Sequence, residues 1–188
     1  MNKEELGWIL YDHKIWIESK GEKGRRANLS YSNLNYINFK VVDLQHAIMR
    51  YVDLYGAYLE KAILKNSNLE YAKLYSANLK YANLHSSNLV GANMASTYMI
   101  WANLRDTNLQ NVNLENANLA GADLSGANLT GANLKLSYMS KTNLTGAKFT
   151  TEIKNAQSFR NCFVTKDQLP WLALHPQFSE FYPTLTVS

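Results

Sequence analysis

The chain has one cysteine, Cys162, and three prolines, Pro170, Pro176 and Pro183, among its 188 residues. A lone thiol closes no internal disulfide, so a reducing cytoplasm is the expected setting. No run is long and apolar enough to span a bilayer. The opening MNKEELGW is acidic where a secretory signal needs an unbroken apolar centre, so neither a membrane span nor a signal is expected. His13, His46, His85 and His175 stand at spacings without a metal-ligand rhythm. A phosphate-cradling glycine loop, a nucleophile elbow and an HExxH signature are all missing. Ser and Asp are plentiful but occupy repetitive positions, so a triad could be drawn almost anywhere and none is assigned. No enzyme activity, metal or cofactor is therefore expected. Charge of one sign is scarce too: 19 Lys and Arg against 15 Asp and Glu leave a formal +4. The basic residues are scattered, so no nucleic-acid partner is expected.

What the chain has in abundance is a unit of five. In NANLAGADLSGANLTGANL, residues 116–134, Leu119, Leu124, Leu129 and Leu134 each follow an alanine two places earlier. The frame runs without insertion or deletion from Ala27 to Thr151, 25 units in all, and 19 of the 25 centres are Leu. The other centres are Phe39, Met49, Met94, Met99, Met139 and Phe149, so none is polar. Two places before the centres stand only Ala, Ser, Thr, Val and one Ile, which predicts a second inward position under tight confinement. Self-similarity of this length decides the architecture before any local reading.

An α-helix turns about 100° per residue, so a step of five rotates each Leu by roughly 140° and scatters the leucines around the helix. A straight strand fails differently, sending alternate leucines to opposite faces. The chain must therefore turn within every unit. The small residue and the centre, two apart, lie on one side of an extended segment, and the remaining residues make the corner. Every glycine of the repeat (Gly56, Gly91, Gly121, Gly126, Gly131 and Gly146) lies two places after a centre, where a type II turn needs positive φ at some corners. The prolines all lie outside the repeat, as expected of a backbone committed to hydrogen bonds between layers.

The run of A(N/D)LxG units resembles the pentapeptide-repeat family over 125 of the 188 residues. The resemblance implies an all-β solenoid, a right-handed quadrilateral parallel β-helix in which four units make one coil. The 25 units then give about six coils, and layers about 4.8 Å apart make a rod roughly 30 Å long. The chain divides into residues 1–26, an N-terminal capping helix and linker; 27–151, the repeat; and 152–188, a degenerate last coil with a short C-terminal helical cap and tail. For function the resemblance implies a non-enzymatic scaffold of a bacterial or cyanobacterial cytoplasm that mediates protein–protein interaction with an unidentified partner. Monomer and homodimer are both left open. The alternative is a DNA mimic that binds DNA gyrase, as some family members do to protect it from quinolones. Such a mimic must display concentrated negative charge. The repeat carries 10 Lys and Arg against 7 Asp and Glu, the wrong sign. Nor do Trp171, Phe178, Phe181 and Tyr182 form the aromatic C-terminal module through which such mimics usually dimerise.

A solenoid needs a cover on each open layer. Residues 3–19 put Leu6, Ile9, Leu10, His13, Trp16 and Ile17 on one helical stripe, with Asn2 as N-cap and Glu5 three places later. Gly21 and Gly24 then release the chain into the first coil. Lys154 breaks the frame, yet Phe159 and Val164 recover it with Cys162 in the small position, which predicts a partial seventh coil. Thr165 and Gln168 form a capping-box pattern at DQLPWLALH, a short helix whose Leu169, Trp171, Leu172 and Leu174 are expected to seal the lower layer. Residues 176–188 have no period and are expected to fray or fold back along the rod.

Residues 20 apart stack, which turns spacing into surface chemistry. Tyr31, Tyr51, Tyr71 and Gly91 form one corner ladder beside a cross-coil Arg50–Glu70 ion pair, an arrangement that serves the scaffold. Asn68, Asn88, Asn108 and Asn128 predict an amide ladder. Lys65, His85 and Arg105 share a solvated basic face. Another face is less bland, because Val41, Lys61, Tyr81, Trp101 and Gly121 stack at one position, with Trp101 expected to stand out from the middle of the rod. Tyr58, Lys61, Lys80, Tyr81, Tyr98, Ile100 and Trp101 make the candidate binding patch, aromatic and apolar within a lysine rim, as at an interface centre. Coverage of that patch by the C-terminal tail or by a second rod is the competing reading.

Overall fold

The computed structural model describes residues 1–149, 156, 158–176 and 178–188, without the side chains of Ser179 and Phe181. Parallel β-bridges join residues 20 apart from Asn28↔Ile48 to Asn143↔Phe163, in four columns that begin at Asn28, Asn33, Asn38 and Asp43. Each coil therefore has four sides of one unit each. A side is narrower than the expected strand: Leu29 N–H donates to Ile48 O at 2.7 Å and Ile48 N–H to Ala27 O at 2.9 Å, and the one further interlayer bond of the unit, Tyr31 N–H to Arg50 O at 3.0 Å, falls in the corner. The corner consumes the other residues of the unit, so single-residue bridges replace continuous strands. Among the described residues only β1 (Phe163–Val164) and β2 (Thr186–Val187) form a longer pairing.

Each corner is a β-turn closed by the next small residue, as where Ala47 N–H donates to Leu44 O at 3.0 Å. The residue two after the centre is left-handed at every unit from Tyr31 to Gly146, and 18 of these corners are not glycine. Val41 and Trp101, at φ 55° and 57°, are among them. The left-handed region costs a non-glycine residue about 1–2 kcal/mol, and the interlayer bonds on both sides of the corner hold it there. Positive φ is thus general rather than confined to some corners, so it does not select the glycines. At five of the six, all but Gly146, a side chain of the coil before crowds the position. A Cβ on Gly56, Gly91 or Gly121 would sit 2.7, 2.5 and 2.5 Å from the rings of Tyr36, Tyr71 and Trp101. Gly126 and Gly131 lie likewise beneath Asp106 and Asn111.

The centres from Leu29 to Phe149 are at most 7% exposed and fill the axis. Each fully buried Leu contributes about 1.5–3 kcal/mol. Small residues are buried from Ala47 onward, whereas Ser32, Ile37 and Val42 of the first coil are half-buried because no coil lies beyond them. Hydroxyls fit this position by bonding the backbone: Ser67 Oγ donates to Leu64 O at 2.6 Å and Thr142 Oγ1 to Leu119 O at 2.9 Å.

Helix α1 (Lys3–Glu18) starts where Asn2 Oδ1 accepts from Glu5 N–H at 2.8 Å, the expected cap. It lays buried Leu6 and half-buried Ile9 and Leu10 on the first coil. Buried His13 accepts from Ala27 N–H at 3.1 Å through Nδ1. At Gly24 a Cβ would overlap the Asp12 carbonyl, so only glycine lets the chain cross the helix there.

At the other end Phe159, Cys162 and Val164 are buried and Tyr138↔Ser158 keeps the 20-residue register, as expected; Lys154 and Thr151 lie outside the described residues. Gln168 Oε1 accepts from Thr165 N–H at 2.8 Å, opening a short 3-10 turn before α2 (Leu169–Leu172). Only one side of so short a helix faces the coil. Leu172 is buried and Leu169 half-buried, but Trp171 and Leu174 are exposed, which corrects the expected seal. The tail also departs from expectation. After α3 (Phe178–Phe181), β2 pairs parallel to β1, with Thr186 N–H donating to Cys162 O at 2.9 Å and Ser188 N–H to Val164 O at 3.0 Å. It takes up backbone groups that a further coil would use, so it neither frays nor runs back along the rod.

Candidate docking face

On the side built on Leu59, Leu79 and Met99, each residue before a centre points outward, giving a column Asn38, Tyr58, Asn78, Tyr98, Asn118, Tyr138 in which neighbours are bridged across successive coils. All three tyrosines are exposed. Asn78 Oδ1 accepts from Lys80 N–H at 3.2 Å, which locks the amide to its own corner. Lys80 Nζ lies 5.7 Å from the Tyr98 ring centroid and Lys40 Nζ 6.0 Å from that of Tyr58. Between Tyr58 and Tyr98 opens a groove of about 390 Å³, floored by Asn78 and walled by Tyr36, Tyr55 and Lys80.

The candidate patch is thereby divided. Tyr58, Lys80 and Tyr98 border the groove, Lys61, Tyr81 and Trp101 occupy the next corner with φ between 57° and 60°, and Ile100 is half-buried beside them. Trp101 does not stand clear of the rod. Its ring lies over Gly121, where the missing Cβ leaves room, and it remains 53% exposed. The C-terminal tail stays at the end of the rod and leaves this face open. Tyr36 and Tyr55 were not anticipated at the site; they occupy the corner just before this side, a placement the 20-residue frame already contained.

The other ladders serve the scaffold. Tyr31, Tyr51 and Tyr71 stack with centroids 5.1 and 5.0 Å apart, and Arg50 meets Glu70 at 2.9 Å, as expected. The amide ladder at Asn68, Asn88, Asn108 and Asn128 takes another form. Their side-chain oxygens accept from the backbone two residues on, at 3.1–3.3 Å, because that local bond completes the corner. Amides bond across coils at Asn93, Asn113 and Asn133 instead. His85 Nδ1 sits 3.2 Å from Arg105 O and 3.8 Å from Asp106, so the basic face is locally compensated.

Among the described residues no group of three or more His, Cys, Asp or Glu could hold a metal ion, and no helix is long and apolar enough to cross a membrane. Burial pushes the Cys162 thiol up to about 12, so it stays protonated, and it donates to Met139 O.

Single-residue parallel bridges every 20 residues, with a left-handed corner in each unit, define a four-sided β-solenoid. The profile of the pentapeptide repeats matches residues 25–60, 59–97, 97–135 and 113–150, in 8 copies. The chain belongs to the pentapeptide repeat family, a family of right-handed β-helix solenoids. Among solved structures it is similar to HetL, a pentapeptide repeat protein involved in heterocyst differentiation regulation from the cyanobacterium Nostoc sp. strain PCC 7120. The two share 28% identity over 75% of this chain and 70% of that one, with a TM-score of 0.40. A pentapeptide repeat protein of the Arabidopsis thaliana thylakoid lumen shares 27% over 54% of this chain and 66% of its own, TM-score 0.41. QnrB1, a plasmid-mediated fluoroquinolone resistance protein, shares 20% over 73% and 72%, TM-score 0.38. The comparison with curated proteins returned no match.

Proposed function

We propose that the chain is a non-enzymatic scaffold of the cytoplasm that holds a protein partner against the face bearing Tyr58, Lys61, Lys80, Tyr81, Tyr98, Ile100 and Trp101. In this reading α1 and the C-terminal tail cap a rod of about six coils. The observation that carries it is the density of exposed rings: Tyr36, Tyr55, Tyr58, Tyr81, Tyr98 and Trp101 all reach water around one side of the solenoid. Stiff aromatic side chains bury large areas at low entropic cost, which is why Tyr and Trp anchor interface centres. Affinity purification from the native host should recover a partner with the wild-type chain. That partner should be lost with Tyr58→Ala/Tyr98→Ala or with Tyr81→Ala/Trp101→Ala. Equal recovery by all three chains would remove the reading.

The gyrase alternative needs an unneutralised anionic column. Glu60, Glu70, Asp53 and Glu115 each pair instead with a Lys or Arg one coil away, at 2.9–3.9 Å. Adding the protein to a gyrase supercoiling assay is expected to leave the rate unchanged.

A further inference from the structure

The column Asn38, Tyr58, Asn78, Tyr98, Asn118, Tyr138 alternates strictly between amide and ring. In the Tyr31–Tyr51–Tyr71 ladder, rings on consecutive coils stack at 5.1 and 5.0 Å and cover one another's faces. In the alternating column the rings lie two layers apart, about 9.6 Å, too far to stack. No ring covers another's face here; Lys40 and Lys80 lie 6.0 and 5.7 Å from the centroids of Tyr58 and Tyr98. The groove between Tyr58 and Tyr98 is followed along the same column by a second of about 270 Å³ between Tyr98 and Tyr138, floored by Asn118. Asn78 and Asn118 spend their side-chain oxygens on the N–H of Lys80 and Ala120, at 3.2 and 3.1 Å. That fixes each Nδ2 as an outward donor with no partner among the described residues.

A ligand for this column must repeat every 9.6 Å or so and must need hydrogen-bond donors. A polyproline II helix advances about 9.3 Å per three-residue turn and leaves every carbonyl unbonded. Two turns of α-helix advance about 10.8 Å with the carbonyls already used, and two residues of strand only about 6.7 Å. Charge narrows the choice further. Lys80 is the one charged residue bordering the first groove and makes no ion pair among the described residues, whereas the second groove is lined by uncharged side chains. We propose that this column binds a proline-rich segment in the polyproline II conformation, one turn between each pair of tyrosines, with an acidic residue of the segment beside Lys80. It rests on the interaction reading above and names the partner's chemistry.

The probe is a synthetic peptide of nine prolines with one glutamate at either end, titrated into the full-length chain and followed by tyrosine fluorescence and amide chemical shifts. Saturable binding is expected, weakened at least tenfold by Tyr98→Ser, severalfold by Lys80→Met and by added salt, and not at all by Tyr81→Ser. Thermal melts of the variants confirm the fold. No saturable binding, binding indifferent to Tyr98→Ser, or equal binding of a Gly/Ser peptide of the same length and charge each overturns the proposal. So does binding of cellohexaose in place of the peptide, which would assign the spaced rings to a glycan. A host partner that lacks any proline-rich segment, yet is released by Tyr58→Ala/Tyr98→Ala, would overturn this proposal and keep the interaction reading.

Discussion

Residues 27–101 and 102–149 share one backbone and one core but wear different surfaces. The first segment has nine tyrosines, Trp101 and two glycines, Gly56 and Gly91; the second has one tyrosine, Tyr138, and four glycines. Corners in the first carry Tyr31, Tyr36, Tyr51, Tyr71, Tyr81 and Trp101, while those in the second carry mainly Gly, Asn and Asp. The centres are buried alike in both. Because inward positions and interlayer bonds hold the coils together, the outward positions are free to differ. The first groove and the candidate patch lie in the aromatic segment, and the second groove runs from Tyr98 into the other, so chemistry has been added to a scaffold that did not need it.

The largest effect tests whether the core is shared. Leu79→Ala and Leu124→Ala should each lower stability by about 2–5 kcal/mol, measured by denaturant unfolding, and a clear inequality would mean that the two segments do not have equivalent cores. Next comes the packing outside. A Cβ at Gly121 meets the Trp101 ring at 2.5 Å, whereas the nearest atom to one at Gly146 is 4.0 Å away. Gly121→Ala should therefore cost about 1–3 kcal/mol and Gly146→Ala only the left-handed strain of about 1 kcal/mol. Adding Trp101→Ala to Gly121→Ala should bring the two into line in a thermal melt.

Stacked and isolated rings differ by less. Tyr51 stacks on both neighbours, so Tyr51→Ser should lose about 0.5–1.5 kcal/mol per pair. Tyr98→Ser should stay within about 0.5 kcal/mol of wild type. Equal losses would erase the distinction between structural and free tyrosines. The most local effect is at α1. Burial lowers the pKa of His13 from 6.5 against the opposing pull of Asp43, so the unfolded chain takes up this proton more readily than the folded one. Stability present above pH 6.5 is then lost as the pH falls toward the lowered value. Amide exchange at Ala27, whose N–H His13 accepts, should quicken with acid in wild type but keep its mild-acid rate constant relative to the intrinsic rate in His13→Leu.

The solenoid, its inward positions, the α1 stripe and the stacked Tyr31–Tyr51–Tyr71 ladder were all legible, because each follows from spacing within a unit or across one coil. Half of the site was legible as well: Tyr58, Lys80 and Tyr98 could be placed on one side by counting. Tyr36 and Tyr55 were missed because they reach the groove around a corner, and side-chain direction there depends on the left-handed turn. The glycines do take the expected positive φ, but that accounts for them only in part. Their φ is shared by Val41 and Trp101; a side chain of the preceding coil crowds five of the six, but Gly146 has none over it, and Tyr51 and Tyr71 lie beneath rings as well. Trp171 and Leu174 were assigned inward by composition, but a helix as short as Leu169–Leu172 has one inward side.

By itself, the sequence determined how the chain turns and what it buries. A five-residue step with an apolar centre admits a corner in every unit, and that is a matter of local dihedral angles and hydrophobic spacing. Only the tertiary structure decided which rings reach the groove around a corner, how closely a preceding side chain approaches each glycine, and that the tail pairs with Phe163–Val164. Those outcomes depend on atoms 20 or more residues away and on side-chain rotamers at the corners, which no pattern within a unit can encode.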